Sequence, residues 1–288
     1  MSATESWSHH EAIVNGIRLH WVEQGSGPLV VLLHGFPEFW YSWRHQIPAL
    51  ARRFRVIAPD MRGYNLSEKP PAGYDTDTLA DDVLGLIREA GEEHAAVVGH
   101  DWGGGVAWAF ALRHPAATRR LAILNAPHPL RFLRELRRPR QLLRSSYMLL
   151  FQLPWLPELL LGANRCWAIG RMLRAAAAND TAFDAEDIER YRDAMSRPGA
   201  LRAALTYYRR LPGQARRLGR LPNEGVVQAP TLVIWGQHDR ALGVDLARGL
   251  EPWVPDLTVH VLDCGHWSQQ ERPEEVNRLL LDFLSASD

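Results

Sequence analysis

The sequence predicts an α/β fold in which helices cover both faces of a mostly parallel β-sheet and a helical segment interrupts the strand–helix alternation. Short apolar runs alternate with segments of helical periodicity towards both ends of the chain. Several of these runs are apolar throughout, which is typical of strands that are buried on both faces. The middle of the chain shows helical patterns and no clear strand.

The first part of the chain contains the patterns of a hairpin, four buried strands and three helices. Two alternating runs joined at Asn15 and Gly16 predict the β-hairpin. The runs PLVVLLHG, RVIAPD, AAVVGH and RLAILNAP predict the strands, and YSWRHQIPALARRF, TDTLADDVLGLIREAG and DWGGGVAWAFALRH predict the helices. In the second of these helices, Thr76 or Asp77 is the expected N-cap and Gly91 the C-terminal stop.

The chain is expected to divide into a core in two parts, residues 1–126 and 228–288, and a helical lid over residues 127–227. In the second core part, TLVIWG and TVHVLD predict strands, while GVDLARGLEPW and PEEVNRLLLDFLS predict helices. Because open α/β sheets bind their ligands at the carboxyl ends of the strands, we expect the lid to cover that edge.

Charge and cysteine content exclude several classes of function. The 33 basic and 33 acidic residues balance, so neither a nucleic acid nor a membrane surface is an expected partner. Cys166 and Cys264 lack the spacing of a metal site or a disulfide framework. The stretch GHDWGGG also lacks the Lys-Ser/Thr ending of a phosphate-binding loop. The sequence therefore predicts neither a metal nor a cofactor.

The sequence is expected to belong to a cytoplasmic protein. Its first ten residues, MSATESWSHH, lack the apolar region of a secretory signal. The most apolar later stretch, YMLLFQLPWLPELLLG, is interrupted by Gln152, Pro154, Pro157 and Glu158. These interruptions argue against a membrane-spanning helix.

Four predicted strands end in segments that contain His, Gly or Asp, namely HGFPE, GHDWGG, WGQHD and DCGHW. These segments are expected to meet at one edge of the sheet. Asp101, Asp239 and His266 follow one another there in the order nucleophile, acid, histidine, which is the order of the α/β-hydrolase triad. Asp239 directly follows the strand TLVIWG and is preferred as the acid, with Asp263 and Asp245 as alternatives.

The sequence resembles the epoxide hydrolases of the α/β-hydrolase fold, of the type without an additional N-terminal domain or membrane anchor. HGFPEFWYSWRHQIPAL, DMRGYNLSEKP and GHDWGGGVAW are similar to motifs of that family. In the lid, SYMLLFQLP and TYYRR fall where the family carries two tyrosines, which correspond to Tyr147 and Tyr208. Tyr207 and Tyr191 are alternatives. The resemblance also implies that the peptide bond before Pro37 is often cis.

A carboxylate at the turn between a strand and a helix suits attack on an sp³ carbon better than attack on a carbonyl. Asp101 lies between Gly99 and Gly103, where an α/β-hydrolase normally presents serine. Displacement by this carboxylate would give a stable alkyl ester. His266, oriented by Asp239, would then activate water to attack the ester carbonyl.

The leaving group and the oxyanion each require hydrogen-bond donors. The backbone N–H groups of Phe36 and Trp102 are the expected oxyanion donors. An epoxide oxygen leaves as an alkoxide and requires a proton, which a phenol with a pKa of about 10 still carries at neutral pH. Tyr147 and Tyr208 are the expected proton donors. Phe36, Trp102 and Phe151 are expected to line the apolar substrate pocket.

The sequence thus predicts an enzyme that opens a small apolar epoxide with water to a vicinal diol, as a monomer or a homodimer. A haloalkane dehalogenase is an alternative, because such enzymes also carry Asp at this turn, often followed by Trp. They usually have a halide-binding Asn or Trp, and Phe36 occupies the position where the Asn often stands. A binding protein that uses the pocket without turnover is a second alternative, although all three triad residues are present.

Overall fold

A computed structural model describes residues 7–215 and 221–286, and an eight-stranded sheet lies at its centre. The strands are β1 (Ser8–Val14), β2 (Ile17–Gln24), β3 (Leu29–Leu33), β4 (Arg55–Pro59), β5 (Ala95–His100), β6 (Thr118–Leu124), β7 (Thr231–Gly236) and β8 (Leu257–Leu262). Their order is β1-β2-β4-β3-β5-β6-β7-β8. The pairs β1–β2 and β2–β4 are antiparallel and all other neighbouring pairs are parallel. The mostly parallel sheet predicted from the sequence is confirmed.

The local patterns explain why these segments form strands. All residues of β3, β5 and β7 are buried, as continuous apolar runs require of strands covered on both faces. The hairpin between β1 and β2 is also confirmed. Its turn residues Asn15 and Gly16 have φ values of 48° and 78°, the left-handed conformations that a tight hairpin turn of this kind requires.

Helices flank the sheet and form the insertion between β6 and β7. The helices are α1 (Gln46–Leu50), α2 (Thr76–Glu89), α3 (Trp102–Arg113), α4 (Pro129–Glu135), α5 (Pro139–Arg144), α6 (Tyr147–Gln152), α7 (Leu156–Ala176), α8 (Ala185–Ser196), α9 (Ala200–Ala215), α10 (Ser268–Glu271) and α11 (Pro273–Ser285). The described residues between β6 and β7 contain no strand, and we call α4 to α9 the cap. Within the described ranges, no helix has the length and apolar character needed to cross a bilayer.

Two predicted helices are shorter than expected. YSWRHQIPALARRF forms a 3₁₀ turn over Trp40–Trp43 and then the short helix α1. Pro48 has no N–H group and is tolerated only in the first turn of a helix, so α1 begins just before it. GVDLARGLEPW forms only the 3₁₀ turn Val244–Ala247. Gly249 follows with a φ of 66°, which a continuing helix does not allow.

The N-cap residue of α2 lies one residue before the predicted position. The side chain of Asp75 accepts a hydrogen bond of 3.1 Å from the N–H of Thr78, so Asp75 is the N-cap rather than Thr76 or Asp77. Gly91 follows the C-cap with a φ of 80°, and its role as the C-terminal stop is confirmed.

A sharp turn joins β5 to α3. Asp101 adopts φ 50° and ψ −118°, outside the regions that non-glycine residues normally occupy. The turn is possible because neighbouring glycines allow close packing: a Cβ atom on Gly103 would overlap the carbonyl oxygen of Leu33, and one on Gly99 would overlap that of Gly103. The Asp101 side chain is thereby held at the carboxyl edge of the sheet.

Gly103→Ala is expected to lower the free energy of unfolding by about 3 kcal/mol, because the methyl group is forced against backbone atoms that cannot move. Gly105→Ala is the matched control in the same helix, since nothing lies within 4 Å of its Cβ position. That substitution should stabilise α3 by about 0.5–1 kcal/mol. Urea unfolding of both variants measures the difference, and equal stabilities would contradict this account of the turn.

Candidate active site

Three polar side chains meet where β5, β7 and β8 end. Asp101 directly follows β5, while Asp239 and His266 lie in the loops after β7 and β8. His266 Nδ1 is 2.7 Å from Oδ2 of Asp239, and His266 Nε2 is 3.6 Å from Oδ2 of Asp101. The structure therefore brings together the three residues that the order of the motifs indicates.

Asp239 is fully committed to hydrogen bonds. Its Oδ1 accepts from the N–H groups of Ala241 and Leu242, both at 2.8 Å. Its Oδ2 accepts from Nδ2 of Asn125 at 2.8 Å as well as from His266. Burial alone would raise the pKa of Asp239, but the imidazole and these donors hold it below its usual value. This carboxylate is suited to orient the imidazole and not to react.

The two alternative acids lie away from His266. The Asp263 side chain is 76% exposed and binds His238 at 2.7 Å. The Asp245 side chain is 50% exposed and pairs with Arg248.

Asn125, which sequence analysis did not identify, gives no recognisable signal beyond its position directly after β6.

The protonation of His266 depends on both aspartates. Burial disfavours the imidazolium, but the carboxylates of Asp239 and Asp101 outweigh burial and raise the pKa of His266 well above its ordinary value. The two carboxylates therefore favour the protonated form of the imidazole.

One oxygen of Asp101 is held by the loop after β3. The N–H of Phe36 donates to Oδ1 of Asp101 at 2.9 Å, and the Phe36–Pro37 peptide bond is cis, as the resemblance implied. Trp102 is the first residue of α3, so its N–H group is one of those at the helix N-terminus that have no hydrogen-bond partner within the helix. Oδ1 is thus anchored, and Oδ2 faces His266.

The two cap tyrosines face the same cavity as Asp101. Tyr147 begins α6 and Tyr208 lies on α9, and their ring centroids are 6.1 Å apart. Both line a cavity of about 130 Å³ together with Asp101 and Trp102. Burial raises the pKa of both phenols well above the usual 10.0, and the charge of Asp101 contributes. Both hydroxyl groups therefore keep their protons at neutral pH.

The alternative tyrosines have partners elsewhere. Tyr207 donates its hydroxyl proton to the carbonyl oxygen of Arg62 at 2.7 Å. Tyr191 is fully buried and packs edge-to-face against Phe39, with ring centroids 5.5 Å apart. Neither lines the cavity that contains Asp101.

Aromatic packing supports the ring of Tyr208. Phe36, Phe151 and Trp102 lie edge-to-face against it, with centroid distances of 5.4, 4.9 and 5.0 Å. Trp102 also lines the cavity, whereas Phe36 and Phe151 act mainly as packing partners of Tyr208. The remaining apolar lining includes four residues that sequence analysis did not single out: Phe132, Met148, Leu211 and Leu242.

A polar clamp holds the two tyrosine-bearing helices together. Gln152 on α6 donates to the carbonyl oxygen of Tyr208 at 2.8 Å. Arg209 on α9 donates to the carbonyl oxygens of Phe151 and Leu153, at 3.0 and 2.7 Å. The same guanidinium group binds both carboxylate oxygens of Glu158, at 2.7 and 2.9 Å. This bidentate pair ties α9 to α7, while the bonds of Gln152 and of Arg209 to backbone carbonyls hold α6 against α9.

A second buried network connects the loops around Asp101. Glu38 accepts from Nδ1 of His100 at 2.7 Å and from the N–H of Gly35 at 2.9 Å, while Gln269 donates to its other oxygen. Nε2 of His100 lies 2.9 Å from the carbonyl oxygen of His266. Burial opposes the charge of Glu38, but His100 and the other donors lower its pKa to about 2. The network positions the loops that carry Phe36, Asp101 and His266.

The described part of the chain contains no group of three or more His, Cys, Asp or Glu residues that could hold a metal ion. Both cysteines are free and buried. Burial raises the pKa of the Cys264 thiol to about 12, so it stays protonated beside the histidine loop.

Comparison with known proteins shows the family to which the chain belongs. The chain matches the α/β-hydrolase fold family over residues 28–273. It is 43% identical to an AB hydrolase superfamily protein of Bacillus subtilis, covering 94% of this chain and 95% of that protein. It is 39% identical to epoxide hydrolase 3 of Xenopus tropicalis, covering 94% and 75%.

A solved structure has the same fold. Bacillus megaterium epoxide hydrolase in complex with an inhibitor matches with a TM-score of 0.89 at 33% identity, covering 96% of this chain and 100% of that one. The chain belongs to the α/β-hydrolase family, among the epoxide hydrolases of that fold.

Proposed function

We propose that the chain hydrolyses epoxides to vicinal diols through a covalent ester on Asp101. The observation that carries this proposal is the position of Asp101 between His266 and a cavity that also exposes the protonated phenols of Tyr147 and Tyr208. A carboxylate nucleophile, a base and two acids are the groups that ring opening and ester hydrolysis require.

In the first step, Oδ2 of Asp101 attacks a ring carbon, because Oδ1 is held by the N–H of Phe36. A carbon–oxygen bond forms and the bond from that carbon to the ring oxygen breaks. The ring oxygen takes a proton from one of the two phenols and becomes a hydroxyl group. The tyrosinate regains its proton through solvent. The product of this step is an ester of Asp101 that carries the future diol.

In the second step, His266 changes its role because the charge of Asp101 has disappeared. Esterification neutralises one of the two carboxylates that raise the pKa of His266, so this pKa falls and the ring can lose its proton. The neutral imidazole then takes a proton from water, and the hydroxide attacks Cγ of Asp101. The oxyanion develops on Oδ1, which the N–H of Phe36 already binds. Its collapse breaks the bond between Cγ and Oδ2, and the protonated His266 gives its proton to the departing diol oxygen. The Asp101 carboxyl group then returns a proton to His266, which restores the starting state.

A haloalkane dehalogenase would use the same nucleophile and base, but its leaving halide needs no proton. The two phenols at the cavity favour an epoxide over a haloalkane as substrate, because the departing epoxide oxygen requires a proton. A binding protein without turnover would not require His266 within reach of Asp101, which favours an enzyme.

Asp101→Asn is expected to lower the rate of diol formation from styrene oxide by about 10⁴-fold or more, because the amide cannot form the ester. Asparagine has nearly the same shape and volume as aspartate, so folding should be preserved. Asp263→Asn, an exposed acid near the histidine loop, is the control and should keep full activity. Bromide release from a bromoalkane without diol formation from the epoxide would instead indicate a dehalogenase.

His266→Gln is expected to stop the cycle after the first step, since no base remains to activate water. Intact-protein mass spectrometry after incubation with styrene oxide should show one added epoxide mass, located on the peptide with Asp101. His238→Gln, in the loop after β7 and bound to Asp263, should show no adduct. An unmodified His266→Gln protein that is also inactive would contradict the order of the two steps.

Tyr147→Phe is expected to slow ester formation by about 10²-fold, because one proton donor to the ring oxygen is lost. Hydrolysis of the ester, measured in a single turnover, should change little. Tyr207→Phe is the matched control, since its hydroxyl group binds a backbone carbonyl outside the cavity. Equal rates of ester formation by the wild type and Tyr147→Phe would show that Tyr147 does not donate the proton in the first step.

A further inference from the structure

The cap exposes a run of large apolar side chains. Eight of them are at least 39% exposed: Leu142, Leu143, Leu149, Leu150, Leu153, Trp155, Leu159 and Leu160. Leu149 and Leu150 lie on α6 and Leu159 and Leu160 lie on α7, while Leu153 and Trp155 lie in the short connection between these two helices. We call these eight residues the apolar cap surface. Soluble proteins rarely expose contiguous apolar surface of this kind unless it binds something.

The same part of the cap is rich in positive charge. Residues 131–160 contain six arginines and two glutamates, although the whole chain has 33 residues of each sign. Both glutamates, Glu135 and Glu158, are paired with arginines. Arg137 and Arg140 are exposed beside the start of the apolar cap surface. This side of the molecule is therefore both apolar and cationic.

An apolar groove lies beside both this surface and the active-site cavity. The groove has a volume of about 320 Å³, and Leu142 and Leu149 of the apolar cap surface line it. Phe132, Met148 and Leu211 line both the groove and the cavity that contains the proposed nucleophile. The groove and the cavity therefore adjoin along a mostly apolar wall that also contains Gln214.

Charge and access favour a lipid surface over a second copy of the chain. A twofold dimer would bring two arginine-rich segments together and would close the mouth of the groove. An anionic phospholipid surface attracts the arginines, accommodates Trp155 at its headgroup level and holds apolar epoxides beside the groove.

We propose that the apolar cap surface docks on anionic phospholipid bilayers and that apolar epoxides pass from the lipid through the groove to Asp101. The substrate route rests on the proposed function, whereas the docking itself does not. The neutral charge of the whole chain predicts no membrane partner, but this average conceals the cationic segment of the cap. Docking of this type needs an apolar and basic face and no membrane-spanning helix.

Vesicle flotation without substrate tests the docking. The wild-type protein should float with phosphatidylcholine vesicles that contain phosphatidylglycerol, and high salt should weaken binding. The double variant Leu143→Ser/Trp155→Ser should bind about tenfold more weakly, because it loses two exposed anchors outside the groove. Arg137→Gln/Arg140→Gln should also bind about tenfold more weakly. Ile13→Ser, a 70% exposed site outside the cap, should bind like the wild type.

Binding that is equal for the wild type and both double variants would overturn the proposal, as would no binding to the anionic vesicles. A dimer in sedimentation experiments that Leu143→Ser/Trp155→Ser dissociates would assign the surface to a second copy instead. Vesicle binding without diol formation would leave the docking intact and contradict the proposed function. Diol formation without vesicle binding would support the proposed function and contradict the docking. Circular dichroism verifies that each variant is folded.

Discussion

The left-handed backbone of Asp101 is the constraint on which the rest of the site depends. Its φ of 50° at the end of β5 points one carboxylate oxygen at the N–H of Phe36 and leaves the other facing His266. Such a conformation persists only where the surrounding structure imposes it. Here the tightly packed glycines of the turn and the buried Glu38–His100 network supply that support. The proposed nucleophile, oxyanion donor and base are therefore held in fixed relative positions.

Two aspartates beside one imidazole have different roles because their surroundings differ. Asp239 is fully buried and accepts hydrogen bonds from two backbone N–H groups and Asn125 as well as from His266. Asp101 lies at a cavity, and its Oδ2 faces His266 and no backbone donor. Environment rather than residue type thus separates the orienting carboxylate from the reactive one. In the proposed mechanism, the loss of charge on Asp101 when the ester forms determines when His266 can act as a base.

Short-range patterns determined most of what could be predicted from the sequence. The Asn15-Gly16 hairpin, the apolar strands and the polar residues after β5, β7 and β8 each depend on a few neighbouring residues and on the geometry of a parallel sheet. Other features depend on contacts between residues that are distant in the chain. These are the bond from Asn125 to Asp239, the clamp formed by Gln152, Arg209 and Glu158, and the Glu38–His100 pair. No periodicity encodes such contacts. The segment GVDLARGLEPW was wrongly predicted as a helix because local propensity was outweighed by its loop geometry.

The central claim is that water attacks Cγ of Asp101 and not the epoxide itself. A single turnover in ¹⁸O-labelled water, with enzyme in excess over epoxide, tests this most directly. The account predicts an unlabelled diol and one ¹⁸O atom on the peptide that contains Asp101, since the new hydroxyl oxygen of the diol comes from the carboxylate. A diol that carries ¹⁸O after this first turnover, with unlabelled Asp101, would contradict it.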